Sequence, residues 1–135
     1  MTAASRAIRN VLRALAEARD GPLYSLYVDL SHRAAQPPTI GFRIYSVADS
    51  DEVRVALGVE WQRSDGLPVS WGVTVETAGI EIVVTGGVEI ERASGYEAVV
   101  EYSDRTTDPE RAPELVRRIA ADVSAYRECI ESTGA

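Results

Sequence analysis

Lysine is absent from this 135-residue chain, and histidine, cysteine, methionine and phenylalanine occur once each. The shortages of cysteine and histidine narrow the chemistry open to the chain. With Cys129 as its one cysteine, the chain cannot close an internal disulfide. It also lacks the several thiols or imidazoles that a structural zinc site requires. His32 alone supplies the side chain that most often serves as general base or metal ligand. No apolar run approaches the ~18 residues of a membrane-crossing helix. Met1 to Arg6 lead into an arginine-studded amphipathic segment, not the apolar stretch of a secretory signal. These absences predict a cytoplasmic protein with no cofactor and no metal.

What is present is an ordinary globular composition with an excess of acid. Hydrophobic residues make up 45% of the chain and charged residues 26%, which supports a packed core and argues against disorder. The length suits a single domain, residues 1–135, with one core. Against 21 acids stand 14 basic residues, all arginine, for a net charge of −7. That sign disfavours nucleic acid and an anionic membrane as partners and favours a basic polypeptide. The excess is uneven. Residues 1–20 carry Arg6, Arg9, Arg13 and Arg19 against Glu17 and Asp20, a balance of +2. Residues 70–104 carry seven acids against Arg92 alone, a balance of −6.

Hydrophobic spacing predicts a helix over about Ala3 to Arg19, where Ala4, Ile8, Val11, Leu12, Leu15 and Ala18 recur at three and four. Arg13 and Glu17 have the spacing of a surface pair, and Asp20-Gly21-Pro22 stops the helix, with Gly21 suited to a left-handed cap. The period then changes to two. Tyr24 to Leu30 reads as a first strand, with Tyr24, Leu26, Val28 and Leu30 on its apolar face. Further strands centre on Ile40–Tyr45, Val53–Trp61, Trp71–Glu76, Ile80–Glu91 and Tyr96–Tyr102. Gly86-Gly87 fits either a hairpin turn or an irregularity within one strand, and the unbroken phase of Ile82, Val84, Val88 and Ile90 favours one long bent strand. No Lys-Ser/Thr follows these glycines and no helix begins there, so they are not a phosphate loop. Asp108 and Pro109 open a last helix of about 19 residues, with Ala112, Val116, Ile119, Val123, Tyr126 and Ile130 on its stripe. The fold expected is α+β: a six-stranded antiparallel sheet with the N- and C-terminal helices packed on one face.

Candidate chemistry is sparse. Asp29, Ser31 and His32 lie close in sequence, but neighbours in an extended segment point apart, so a nucleophile–base pair is disfavoured. A lone Cys129 reads as a small apolar residue. The carboxylates are the strongest feature. Glu76, Glu81, Glu89, Glu91, Glu97 and Glu101 all fall on the polar phase of their strands, where Tyr45, Tyr27, Val83 and Val99 also lie. Such a surface is either a solvated sheet face or an interface of apolar residues ringed by acids. Trp61 and Trp71 occupy the apolar phase. With Tyr24 and Tyr102 they can line a ligand pocket between sheet and helices.

The size, acidity and helix–sheet–helix order resemble those of bacterial immunity proteins and secretion chaperones, which bind one cognate protein. The chaperones usually place a helix between their strands, and none is read here, so no functional residue is carried over. The residues favour a binding protein over an enzyme. The expected function is docking of a basic partner through Glu76, Glu81, Glu89, Glu91, Glu97, Glu101 and Tyr45. The alternative is a small-molecule site at Trp61, Trp71, Tyr24 and Tyr102. A third reading is a homodimer formed through the outer face or a sheet edge.

Overall fold

The computed structural model describes residues 3–33, 37–46, 53–63, 65–128 and 130. Two helices, α1 (Ala3–Asp20) and α2 (Pro22–Ser31), precede five strands. These are β1 (Thr39–Ser46), β2 (Val53–Gln62), β3 (Pro68–Ala78), β4 (Glu81–Arg92) and β5 (Gly95–Thr106). A third helix, α3 (Ala112–Ala125), follows. The strands form one antiparallel meander in the order β1-β2-β3-β4-β5. All helices lie on one face. α3 covers β3, β4 and β5, α2 sits against β2, and α1 packs mainly on the other two helices.

The expectation of an antiparallel sheet with helices packed on it holds, but the sheet has five strands, not six. The segment assigned as a first strand is α2. An eight-residue run such as Leu23–Leu30 satisfies both periods, and its tyrosines and valine favour a strand by propensity. Packing decides otherwise. Leu23, Leu26 and Leu30, at helical spacing, are fully buried, while Tyr24 and Val28 are exposed. Pro22 stands in the first turn, where its missing N–H is harmless. Gly21 is not a left-handed cap. It sits at φ −109° and joins α1 directly to α2. Glu17 turns from Arg13 to Arg117 of α3, at 3.1 Å.

The last helix is shorter than its stripe. Asp108 accepts from the Glu110 N–H at 3.0 Å in a preliminary turn, and α3 proper starts at Ala112 with Pro113 in its first turn. It stops at Ala125 because the Tyr126 carbonyl accepts from Trp71 Nε1 at 3.0 Å, and Tyr126 adopts an extended ψ of 120°. Three more contacts tie α3 down: Arg117 to Glu17 of α1, Arg127, just beyond the helix, to Asp29 of α2, and Arg118 to Asp104 of β5.

Gly86-Gly87 is not a turn, since β4 runs through both residues. Each glycine admits a neighbour. A Cβ on Gly86 would lie 2.5 Å from Ile119 Cγ2 and 2.8 Å from Val123 Cγ2, so bare backbone lets α3 approach the sheet. A Cβ on Gly87 would lie 2.5 Å from the Val100 carbonyl oxygen. That close approach belongs to a bulge in β5: Val88 pairs with Val100, and Glu89 with Ala98, leaving Val99 extra.

The core lies between sheet and helices. Val55, Leu57, Val59, Trp61, Val69, Trp71, Val73, Val75, Ile82, Val84, Val88 and Ile90 supply its floor. Val11, Ala14, Leu15, Leu23, Leu26, Leu30, Leu115, Val116, Ile119 and Val123 close it from above. Burial of this many aliphatic side chains is the main stabilising term, at ~1.5–3 kcal/mol for each large one.

Candidate functional site

Strand alternation buries one face, and among the described residues no helix covers the other. Register aligns its residues into rows across the sheet. One row is Gly41, Gly58, Gly72 and Gly87, ending in Glu101. On one side of it run Arg43, Ala56, Thr74, Thr85 and Ser103. On the other run Thr39, Glu60, Ser70, Glu89 and Ala98. Four glycines and small neighbours leave a trough in this face, with a cavity volume of about 740 Å³.

The fold does not demand glycine throughout that row. A Cβ on Gly41 would meet no heavy atom within 4 Å, and one on Gly72 would touch only the Leu57 carbonyl oxygen at 3.9 Å. Neither has a positive φ. Glycine within a strand weakens it by ~0.5–1 kcal/mol relative to alanine. Gly41 and Gly72 therefore cost stability without a packing reason.

Sequence phase placed the six glutamates on one surface, and the structure divides them. Glu89, Glu91 and Glu101 lie on the helix-free face, and no ion pair among the described residues engages them. Glu76 is paired to Arg54 at 3.0 Å and Glu81 to Arg105 at 3.0 Å, so both are neutralised within the sheet. Glu97 is not on this face. The bulge shifts β5 by one residue, placing Glu97 opposite buried Ile90, and it pairs with Arg92. The same shift moves Tyr96 onto the helix-free face, where it is 71% exposed. Glu60, which the sequence reading did not select, joins the acidic group. Its signal was available: it occupies the polar phase of β2 beside a glycine. Tyr45 pairs in register with Arg54. The four apolar residues of the polar phase do not gather into one interface core: Tyr27 stacks on Tyr24 in α2, Val99 is the bulge residue, and Val83 stands in the Arg54 row.

The inner-face set also divides. Trp61 and Trp71 meet in the core with ring centroids 6.4 Å apart. Tyr102 is half-buried against the same core, opposite Gly86. Tyr24 belongs to α2 and points to solvent. Trp71 donates its indole N–H to the Tyr126 carbonyl, whereas the buried Trp61 Nε1 has no hydrogen-bond partner among the described residues.

No catalytic constellation forms at Asp29, Ser31 and His32. The Ser31 hydroxyl donates to the Tyr27 carbonyl at 2.8 Å, and Asp29 is held by Arg33 at 3.2 Å and Arg127 at 3.1 Å. Burial raises the Asp29 pKa, but hydrogen bonds and charge from the two arginines outweigh it, leaving the carboxyl below its ordinary value. His32 is exposed at the end of α2. Cys129 lies outside the described residues. Among the described residues no group of three or more His, Cys, Asp and Glu could hold a metal ion, and no helix is long and apolar enough to cross a membrane.

The chain matches no protein-family model, no curated protein and no solved structure.

Proposed function

We propose that this protein is a non-enzymatic binding module that docks a basic polypeptide in the trough of its helix-free sheet face. The observation that carries the reading is the pair Gly41 and Gly72. They leave the trough open at a cost in strand stability, with no steric requirement from the fold. The partner's charge follows from Glu60, Glu89 and Glu101, which line the trough and have no cationic partner among the described residues, in a chain of net charge −7. Glu76, Glu81 and Glu97, engaged by arginines, serve the sheet itself. An immunity or chaperone role, in which one cognate toxin or effector is held, fits this geometry.

The test is native mass spectrometry of the protein isolated from its own host at low salt, followed by binding of the captured polypeptide to variants. Gly72→Val fills the trough and should abolish binding while the protein stays folded. Glu60→Lys, Glu89→Lys and Glu101→Lys together should weaken binding and remove its salt dependence. Glu97→Lys, on the other face, should change neither. Undiminished binding by Gly72→Val and the triple variant would defeat the reading.

A second reading rests on the buried, unpartnered Nε1 of Trp61. A small molecule with a hydrogen-bond acceptor, seated between sheet and helices, would satisfy it. Such a ligand shifts tryptophan fluorescence on binding, and Trp61→Phe abolishes the shift.

A further inference from the structure

The two edges of the sheet are built differently. β5 carries Glu97, Glu101, Asp104 and Arg105 and a bulge at Val99, the devices that keep an edge from pairing. β1 has no bulge and a single charged residue, Arg43. It is eight residues long and pairs with β2 through eight consecutive positions without a shift. Its sequence, Thr-Ile-Gly-Phe-Arg-Ile-Tyr-Ser, holds one charge. Among the described residues β2 is the one strand that bonds to it, and none pairs with its other side. On its helix-side face, Ile40 and Phe42 reach the core but remain half-buried, unlike their fully buried neighbours Val59 and Leu57 in β2.

We propose that β1 pairs antiparallel with β1 of a second copy, continuing the sheet across a two-fold axis. An antiparallel edge can meet itself with like faces aligned only if paired residue numbers sum to an even value, because side chains alternate along a strand. Of the central registers, pairing Arg43 with Arg43 of the second copy sets like charges face to face, which destabilises a sheet. The neighbouring register places Phe42 on the axis against Phe42 of the second copy. Arg43 then lies opposite Gly41 of the second copy. This register joins the half-buried aromatic rings on the core side and gives each arginine a bare backbone as neighbour. The occupant is a second copy because this strand is complementary to itself. The axis runs perpendicular to the sheet, so both glycine troughs open on the same side and the docking face doubles.

Sedimentation equilibrium of the full chain from ~1 to ~200 μM tests this, a range that brackets micromolar association. A concentration-dependent dimer is expected, with β1 amides exchanging more slowly at the upper concentration. Phe42→Cys in a Cys129→Ser background should form an intermolecular disulfide under mild oxidation. Directly opposed Cα atoms lie ~4.5–5.5 Å apart, within disulfide reach. Glu97→Cys on β5, in the same background, should not cross-link. A wild-type chain that stays monomeric throughout overturns the proposal, as does cross-linking through position 97 but not 42. So does protection of β1 only when a foreign polypeptide is bound, which assigns the edge to that partner.

Discussion

Replacing Gly86 by alanine tests how the helical layer sits on the sheet. The new Cβ would lie 2.5 Å from Ile119 Cγ2 and 2.8 Å from Val123 Cγ2, where ordinary contact begins at 3.4 Å. Relief requires a retreat of roughly 0.9 Å by Ile119 and roughly 0.6 Å by Val123, β-branched residues whose methyls are fixed by a stiff χ1 on a helix. α3 cannot retreat freely, because Glu17 and Asp104 anchor it and Trp71 and Asp29 anchor Tyr126 and Arg127, the two residues that follow it. Overpacking of this kind costs ~1–3 kcal/mol. Alanine returns ~0.5–1 kcal/mol through its better strand propensity. The net expectation is a loss of about 1–2 kcal/mol, read from the urea midpoint, with a fall in Tm of roughly 3–10 °C. Gly41→Ala is the control: it meets nothing within 4 Å and should leave stability unchanged or slightly higher. Ile119→Ala removes the offending methyl, so its double mutant with Gly86→Ala should be more stable than the two losses combined predict. If Gly86→Ala and Gly41→Ala proved equally stable, the seating of α3 on bare β4 backbone would be refuted.

Two other perturbations have defined outcomes. Trp71→Phe should cost about 1–2 kcal/mol more than Trp61→Phe in chemical denaturation, because only Trp71 loses a made hydrogen bond. Equal costs would show that the Trp61 N–H has an acceptor in solution. Asp29→Asn should lower stability at pH 7 by at most about 1 kcal/mol, since the pairs are partly solvated. The folded pKa of Asp29 is depressed, so its contribution is present above the unfolded value and lost as pH falls through the folded one. The gap between wild type and Asp29→Asn should therefore close below about pH 4. A gap that persisted in acid would contradict the two-arginine clamp.

The sequence made the sheet legible because alternation is strict wherever one face is buried. Val55, Leu57, Val59 and Trp61 in β2 and Val69, Trp71, Val73 and Val75 in β3 name the core without ambiguity. α2 was not legible, because three leucines at helical spacing inside a run of tyrosines and valine fit both periods, and only contact with the helical layer selects one. The misplaced Glu97 has a different cause. A bulge adds one residue to β5 and reverses its phase, and nothing local in Ala98-Val99-Val100 announces it. Its trace is across the ladder, in the glycine at position 87 that gives the Val100 carbonyl room. The trough was missed for a related reason. Gly41, Gly58, Gly72 and Gly87 are scattered in sequence, and they become one row only when register is known.

The meander and its helical cover place opposite demands on the chain. Each strand pairs only with strands adjacent in sequence, so the sheet is assembled from short loops that close at little entropic expense. The cover is stitched from the far ends: Glu17 and Arg117, which meet at 3.1 Å, are 100 residues apart. Contacts of that separation raise the mean contact order of an otherwise local topology. Mechanically, tension applied to the two ends of the chain loads the seam between α1 and α3 before it reaches a strand. Once the seam opens, the load passes through α2 to β1 and through α3 to β5, the two strands with a neighbour on one side only. The interior hairpins feel it last.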